Sequence, residues 1–355
     1  MSLSYRFPVA KGIQAQKEYY IGMVPLKMIE KLFVDDNEYV LPEYRAQRKL
    51  NENRIPEIKN YILDNKDSYV FSALTASIDG EFRYIPATEE GLGILEISLD
   101  SRFLINDGQH RKAAIIAALK EDRSIENETI SVVFFADKGL SRSQQMFTDL
   151  NKHAVKTSNS ISELYDSRDD VAVVTRNIVN KIDFLNNYTD KERDILGKYS
   201  SSLFTLNTFY TANRFIVGRS DAYECEEFLF AFWSAVADHM KPWQELQNRE
   251  LSKVDLREKY IATQNVVIQA FGRVGLCLRN NPGNMENHLK GIESINWSRN
   301  SKTWKLRAIG QNGRILTNKK AIILIANVIK QTIGLELTPE EYQAENELKE
   351  IYMER

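Results

Sequence analysis

The stretch that most constrains this chain is Leu104-Ile105-Asn106-Asp107-Gly108-Gln109-His110-Arg111-Lys112-Ala113-Ala114. Phe103, Leu104 and Ile105 read as a short apolar strand. Asp107-Gly108 breaks it, because Gly accepts φ > 0 and Asp bonds its own backbone. A helix follows over Ala113–Leu119, rich in Ala, Leu and Ile. A strand, a glycine turn and a helix N-terminus together present backbone N–H groups and a positive dipole end to an anion. Arg111 adds a planar fork of donors suited to phosphate. Gln109 and His110 are suited to a ribose or a base edge. The plainer reading is that Asp107 serves the turn and that Arg111 pairs with a nearby carboxylate, since such junctions are common in α/β proteins.

Upstream, Tyr19-Tyr20-Ile21-Gly22-Met23 has strand character, and Leu26, Ile29, Leu32 and Phe33 fall at helical spacing. In the 42–65 region, Asn53 is a candidate N-cap and Pro56 sits in the first turn of a helix with Ile55, Ile58, Tyr61 and Ile62 on one side. Arg45, Arg48 and Arg54 either form a solvated face or, with Arg48, Asn51 and Arg54 leading, approach an anion held at Gly108. Tyr69–Ile78, Leu92–Leu99 and Ile130–Phe135 read as strands. Ser141 and Gln144 fit a capping box, and Asn151 closes that helix. From Ser158 onward helical periodicity dominates: Ser160–Tyr165, Asp169–Ile182, Thr205–Val217, Glu224–Met240 and Lys253–Leu278. The expected fold is therefore α+β: a mixed α/β domain over 1–165, followed by a mainly α-helical region over 166–355.

The 355 residues carry a formal net charge of −2, which argues against wholesale coating of nucleic acid. The charge is unevenly placed. Between Asn296 and Lys320 there are seven basic residues and no acid: Arg299, Lys302, Lys305, Arg307, Arg314, Lys319 and Lys320. From Gln331 to the end, seven Glu face only Lys349 and Arg355. Trp297 and Trp304 are interleaved with the cations. Such a segment can neutralise phosphates and stack on bases through Trp304, or it is a solvated basic loop balanced by the acidic tail. Cys225 and Cys277 lie in apolar helical contexts and read as free thiols of a reducing, cytoplasmic compartment. No zinc-type cluster, membrane-length apolar run, Walker A, HExxH, GxSxG or paired catalytic carboxylates occur, so neither a metal nor a catalytic residue is assigned.

Asp107-Gly108-Gln109-His110-Arg111 resembles the signature of the DGQHR-domain family, within the wider ParB/sulfiredoxin-like group. Gly108, Arg111 and Ala114 match the spacing of the G-x-x-R-x-x-A box with which ParB proteins hold nucleotide phosphates. Gly12-x-Gln14-Ala15, Tyr19-Tyr20, the Gln144/Phe147/Asn151 pattern and Leu203–Leu206 with Asn213-Arg214 extend the resemblance to the DndB proteins of DNA phosphorothioation. The resemblance implies a ParB/sulfiredoxin-like N-terminal domain. It also implies a repressor of the sulfur-modification genes, bound to double-stranded DNA upstream of its own gene cluster. It brings Gln144 and Asn151 toward the pocket at Gly108, and it suggests other sulfur-modification proteins as partners. A two-fold operator would ask for a homodimer. An alternative is nucleotide hydrolysis at the junction, with ATP or CTP as ligand, His110 as acid/base and Arg111 as clamp. Sulfiredoxin relatives carry a Cys in this motif and this chain does not. A third reading is a scaffold for the modification enzymes.

Overall fold

The computed structural model describes residues 4–33, 51–136, 157–197, 200–280 and 282–353. Two compact units emerge, Met1–Val155 and Lys156–Arg355. The division falls ten residues before the expected 165. The reason is local: the helix Asn159–Tyr165 is tied into the second unit, where Asp194 accepts the Ser160 N–H at 2.8 Å.

The first unit contains β1 (Ser4–Gln14), β2 (Lys17–Pro25), α1 (Leu26–Leu32), α2 (Ile55–Asp64), β3 (Leu74–Asp79), β4 (Phe82–Pro86), β5 (Leu92–Ser98), β6 (Arg102–Asp107), α3 (Gln109–Glu121) and β7 (Thr129–Ala136). One mixed sheet has the order β4-β5-β1-β2-β7-β3-β6. Only β3 and β7 run parallel, in register from Leu74↔Val132 to Ile78↔Ala136. Period-two burial sets the inner face: Phe7 and Val9 on β1, Tyr20 and Val24 on β2, Val132 and Phe134 on β7. The stripe of α1 (Leu26, Ile29, Leu32) joins Ile62 of α2 and Ala114, Ile115 and Ala118 of α3 in the same core. The β1–β2 hairpin closes through Ala15 and Gln16, both at positive φ, as a two-residue turn requires.

Two expectations shift here. Asn53 is not a cap; Asn51 takes that role, its side chain accepting from the Asn53 N–H ahead of a short 3₁₀ turn over Glu52–Arg54. The strand expected over Tyr69–Ile78 begins only at Leu74, and Tyr69–Ala73 lies outside the ladder.

The second unit contains α4 (Asn159–Tyr165), α5 (Asp170–Lys181), α6 (Asp183–Tyr188), the short parallel pair β8 (Thr189–Asp190) and β9 (Phe204–Thr205), α7 (Leu206–Val217), α8 (Glu226–His239), α9 (Lys241–Gln247), α10 (Lys253–Lys259), α11 (Asn265–Asn280), α12 (Met285–Lys290), α13 (Lys319–Thr332) and α14 (Pro339–Met353). Helices α7 and α11 approach closely because Gly272 faces Ala212, where a Cβ would stand 3.0 Å from the Ala212 carbonyl oxygen. The helix expected over Lys253–Leu278 is broken in two. Its interruption receives the 296–298 segment, with Ile261 N–H donating to Trp297 O at 3.0 Å and Tyr260 bridged to Ser298. Cys225 is buried and unpaired, and Cys277 is half-buried.

The acidic tail is a helix with structural work. Lys330 on α13 is buried and meets both carboxylate oxygens of buried Glu341, at 3.0 and 2.9 Å. Arg273 of α11 reaches Glu341 at 3.1 Å and Glu340 at 2.8 Å. Burial pushes the Glu341 carboxyl up, but the Thr338 N–H and the Lys330 ammonium outweigh it and hold it below the usual range. That pairing therefore contributes stability above the ordinary carboxylate pKa, and the contribution is lost as pH falls through the lowered value. All four tryptophans (Trp233, Trp243, Trp297, Trp304) lie in this unit, so their fluorescence reports its unfolding. In urea titrations followed by that signal, Glu341→Ala should cost about 3–5 kcal/mol, because it leaves Lys330 buried without its partner.

Candidate functional site

The Asp107-Gly108-Gln109-His110-Arg111 junction forms as the spacing predicts, with β6 ending at Asp107 and α3 starting at Gln109. Gly108 sits at φ +97°, and a Cβ there would stand 2.4 Å from Leu74 Cδ2. The position thus requires glycine on two independent grounds. The Arg111 side chain turns inward. Its Nη2 donates to Asp107 Oδ2 at 2.7 Å, and its Nη1 donates to Ser72 O at 2.6 Å and Ala73 O at 2.9 Å, with Ser72 Oγ also in reach. One planar fork therefore binds β6, the start of α3 and the segment before β3. His110 Nε2 accepts the Asn51 N–H at 3.1 Å, which ties the turn before α2 to the same helix start. Buried Asn106 donates to Ser77 Oγ at 2.6 Å between β6 and β3.

The junction thus gathers Asp107, Gly108, His110, Arg111 and Asn51, while Gln109 opens α3. Arg54 is exposed at the start of α2. Arg48, Gln144 and Asn151 lie outside the described residues. Sequence reasoning missed Ser72 and Ala73, because they contribute main-chain carbonyls, which leave no trace in side-chain pattern.

The basic segment is a folded loop. Trp304 is fully buried; it stacks on Trp297 with centroids 5.5 Å apart, and its Nε1 donates to Asn296 O at 2.7 Å. The expectation that Trp304 stacks on bases is corrected: it is a core residue. Arg307 forks onto Glu345, with Nη2 to Oε2 at 2.7 Å, Lys319 meets Glu340 at 2.9 Å and Lys320 meets Glu347 at 2.7 Å. The acidic helix α14 therefore takes up three of the seven cations. Arg299 donates to Glu258 O at 3.2 Å and shares a cleft of about 340 Å³ with Glu258, Lys259, Asn300, Ile309 and Gly313. Lys302, Lys305 and Arg314 are exposed around that region.

One titratable group escaped the sequence reading. Glu163 on α4 is 8% exposed, and its Oε2 has no hydrogen-bond partner. Burial, with the Asp194 and Asp169 carboxylates nearby, pushes it up to about 8. No group of three or more His, Cys, Asp or Glu among the described residues could hold a metal ion, and no described helix is long and apolar enough to cross a membrane.

The family model described as "DndB: DNA-sulfur modification-associated" matches residues 7–336. The chain belongs to the DndB family. That match runs through both units and includes the signature junction and the basic segment. No curated protein and no solved structure matches the chain. This DndB-family member is accordingly associated with DNA sulfur modification, and its site has to be read from its own geometry.

Two outcomes follow from that geometry. Gly108→Ala should destabilise the first unit by about 2–4 kcal/mol, from left-handed strain plus the Leu74 clash. Arg111→Lys should lose nearly as much as Arg111→Ala, since one ammonium cannot replace the fork; both are read from the tryptophan-silent transition in far-UV circular dichroism. Glu163 carries its own sign. Its raised pKa supplies stability that is complete below 4.5 and lost as pH rises through about 8. Glu163→Gln should therefore gain stability over wild type at pH 8–9 and little at pH 4.5, in fluorescence-detected unfolding across that range.

Proposed function

We propose that this DndB-family chain is a DNA-binding regulator that represses the genes of the DNA sulfur-modification system from double-stranded DNA upstream of its own gene cluster. The observation that carries the reading is the acid-free segment 296–320, anchored by the buried Trp297–Trp304 stack, with Lys302 and Arg314 exposed and in no ion pair among the described residues. Phosphate contacts from such side chains would position the protein, and polar neighbours such as Asn300 would read base edges. The contact set narrows to Arg299, Lys302, Lys305 and Arg314. Arg307, Lys319 and Lys320 serve α14 instead. The N-terminal unit is, in this reading, a ParB/sulfiredoxin-like domain whose signature acts as an internal tie. Nucleotide hydrolysis with ATP or CTP has weaker support, because the Arg111 guanidinium is already engaged by Asp107, Ser72 and Ala73. A cytoplasmic homodimer, in contact with other sulfur-modification proteins, completes the proposal.

Equilibrium binding to upstream DNA and to unrelated DNA of equal length, over a salt series, tests it. Preference for the upstream DNA is the expected result, and equal binding to both would remove the operator-reading role. The double variant Lys302→Ala/Arg314→Ala should reduce the log K against log salt slope by about 2 while leaving the tryptophan-monitored stability unchanged. An unaltered slope would take this segment out of the interface.

A further inference from the structure

The parallel ladder between β3 and β7 stops at Leu74↔Val132. Below it, β7 continues for Thr129, Ile130 and Ser131, whose strand partners among the described residues all lie on β2, from Pro25↔Thr129 to Met23↔Ser131. On the other side Tyr69–Ala73 diverges instead of completing the sheet. A cavity of about 390 Å³ fills the gap, with Tyr69, Val70 and Phe71 on one wall and Thr129, Ile130 and Ser131 on the other. We propose that this slot is a docking site for a short extended peptide of a partner protein, whose main chain adds to the open edge of β7 and which points a basic side chain at Asp67.

The walls are fixed before any ligand arrives. Arg111 holds the carbonyls of Ser72 and Ala73 away from β7. The Val70 N–H donates to the Tyr61 hydroxyl at 2.9 Å, and the Tyr69 hydroxyl donates to Glu128. The Val70 N–H and the Ser72 and Ala73 carbonyls are thus engaged away from β7. Among the described residues no strand pairs with Thr129 on the cavity side, and alternation along β7 turns the main-chain groups of Thr129 and Ser131, not those of Ile130, that way. Such groups are obligatory hydrogen-bonding partners, and the chemistry that answers them in register is another main chain. A slot already held open spares the ligand part of the ordering cost.

The side chains narrow the partner further. Met23, 59% exposed, and Val70, 78% exposed, form apolar lips for alternate residues of an extended strand. Lys66 is engaged by Asp122, while Asp67 and Glu128 also line the cavity. The local surplus is negative, which repels a nucleic-acid phosphate and suits a lysine or arginine. This inference stands apart from the DNA reading of the other unit.

The test uses the full chain and a phage-displayed library of random octapeptides, with the enriched sequences then made as synthetic peptides. The expected peptides alternate apolar and basic residues. Their binding should slow hydrogen–deuterium exchange across Thr129–Ser131. N-methylation of one central peptide amide should weaken binding by at least about tenfold, as loss of a ladder hydrogen bond does. Asp67→Lys should weaken it comparably, and it sits on the surface, where folding is spared. Failure to enrich any peptide, protection confined to other segments, or indifference to N-methylation would each overturn the proposal. Protection of the same amides by duplex DNA, or by self-association of the chain without peptide, would overturn it too by assigning the slot to a different occupant.

Discussion

The first unit depends on where one guanidinium spends its donors. Arg111 lies in the first turn of α3, four residues after Asp107, so the Asp107 pairing follows from local geometry. The bonds to Ser72 and Ala73 do not. They reach back across 38 and 39 residues to a segment that would otherwise lengthen β3. Three consequences share this origin. The helix start is fixed against the sheet, β3 begins late, and the sheet is left split beside β7. Gly108 makes the arrangement possible, because a Cβ at that point would meet Leu74, the first residue of the shortened strand.

In the second unit the organising element is charge partition. A net charge of −2 conceals a basic run and an acidic tail that are close in sequence and interlocked in space. Buried Glu341 with Lys330 and Arg273, and Glu345 with Arg307 and Asn327, fix α14 against α11 and α13. A buried pair of this kind contributes more by forbidding other arrangements of α14 than by net stabilisation. It also sorts the basic residues, withdrawing some into structure and leaving Lys302 and Arg314 toward solvent.

Much of this was legible in the residues. Period-two and helical patterns located five of the seven strands of the sheet, missing β1 and β4, and the longer helices up to α11, and the glycine junction fell where the turn chemistry of Asp107-Gly108 demanded. What was illegible has a common physical cause: it depends on partners distant in sequence. Tyr69–Ala73 has the aromatic and β-branched composition of a strand, and only the captured carbonyls explain why it is not one. Lys253–Leu278 has continuous helical periodicity, and only the docking of Trp297 at Ile261 interrupts it. Trp304 among lysines and arginines reads as a surface platform, since an irregular loop has no periodicity from which to infer a buried side. Its stack on Trp297 decides the matter. The acidic tail read only as a balance to the basic loop, and Glu340, Glu341, Glu345 and Glu347 turn out to lie on one helix that pairs with the cations.

The signature shows how a functional motif and a structural one converge. A strand–glycine–helix junction with an arginine in the first turn can hold a phosphate, because helix N–H groups and a guanidinium both seek anions. The same donors can be satisfied from within, by a carboxylate four residues away and by two carbonyls. In this chain the second solution is realised: Arg111 is 17% exposed and already makes three strong contacts. To bind an external phosphate there, it would have to release Ser72 and Ala73, and with them the segment that shapes the sheet. A ligand that drew on the Arg111 guanidinium would thus compete with those contacts. Among the described residues, the fold leaves Lys302 and Arg314 exposed in no ion pair in one unit, and Thr129–Ser131 with no β3 partner in the other.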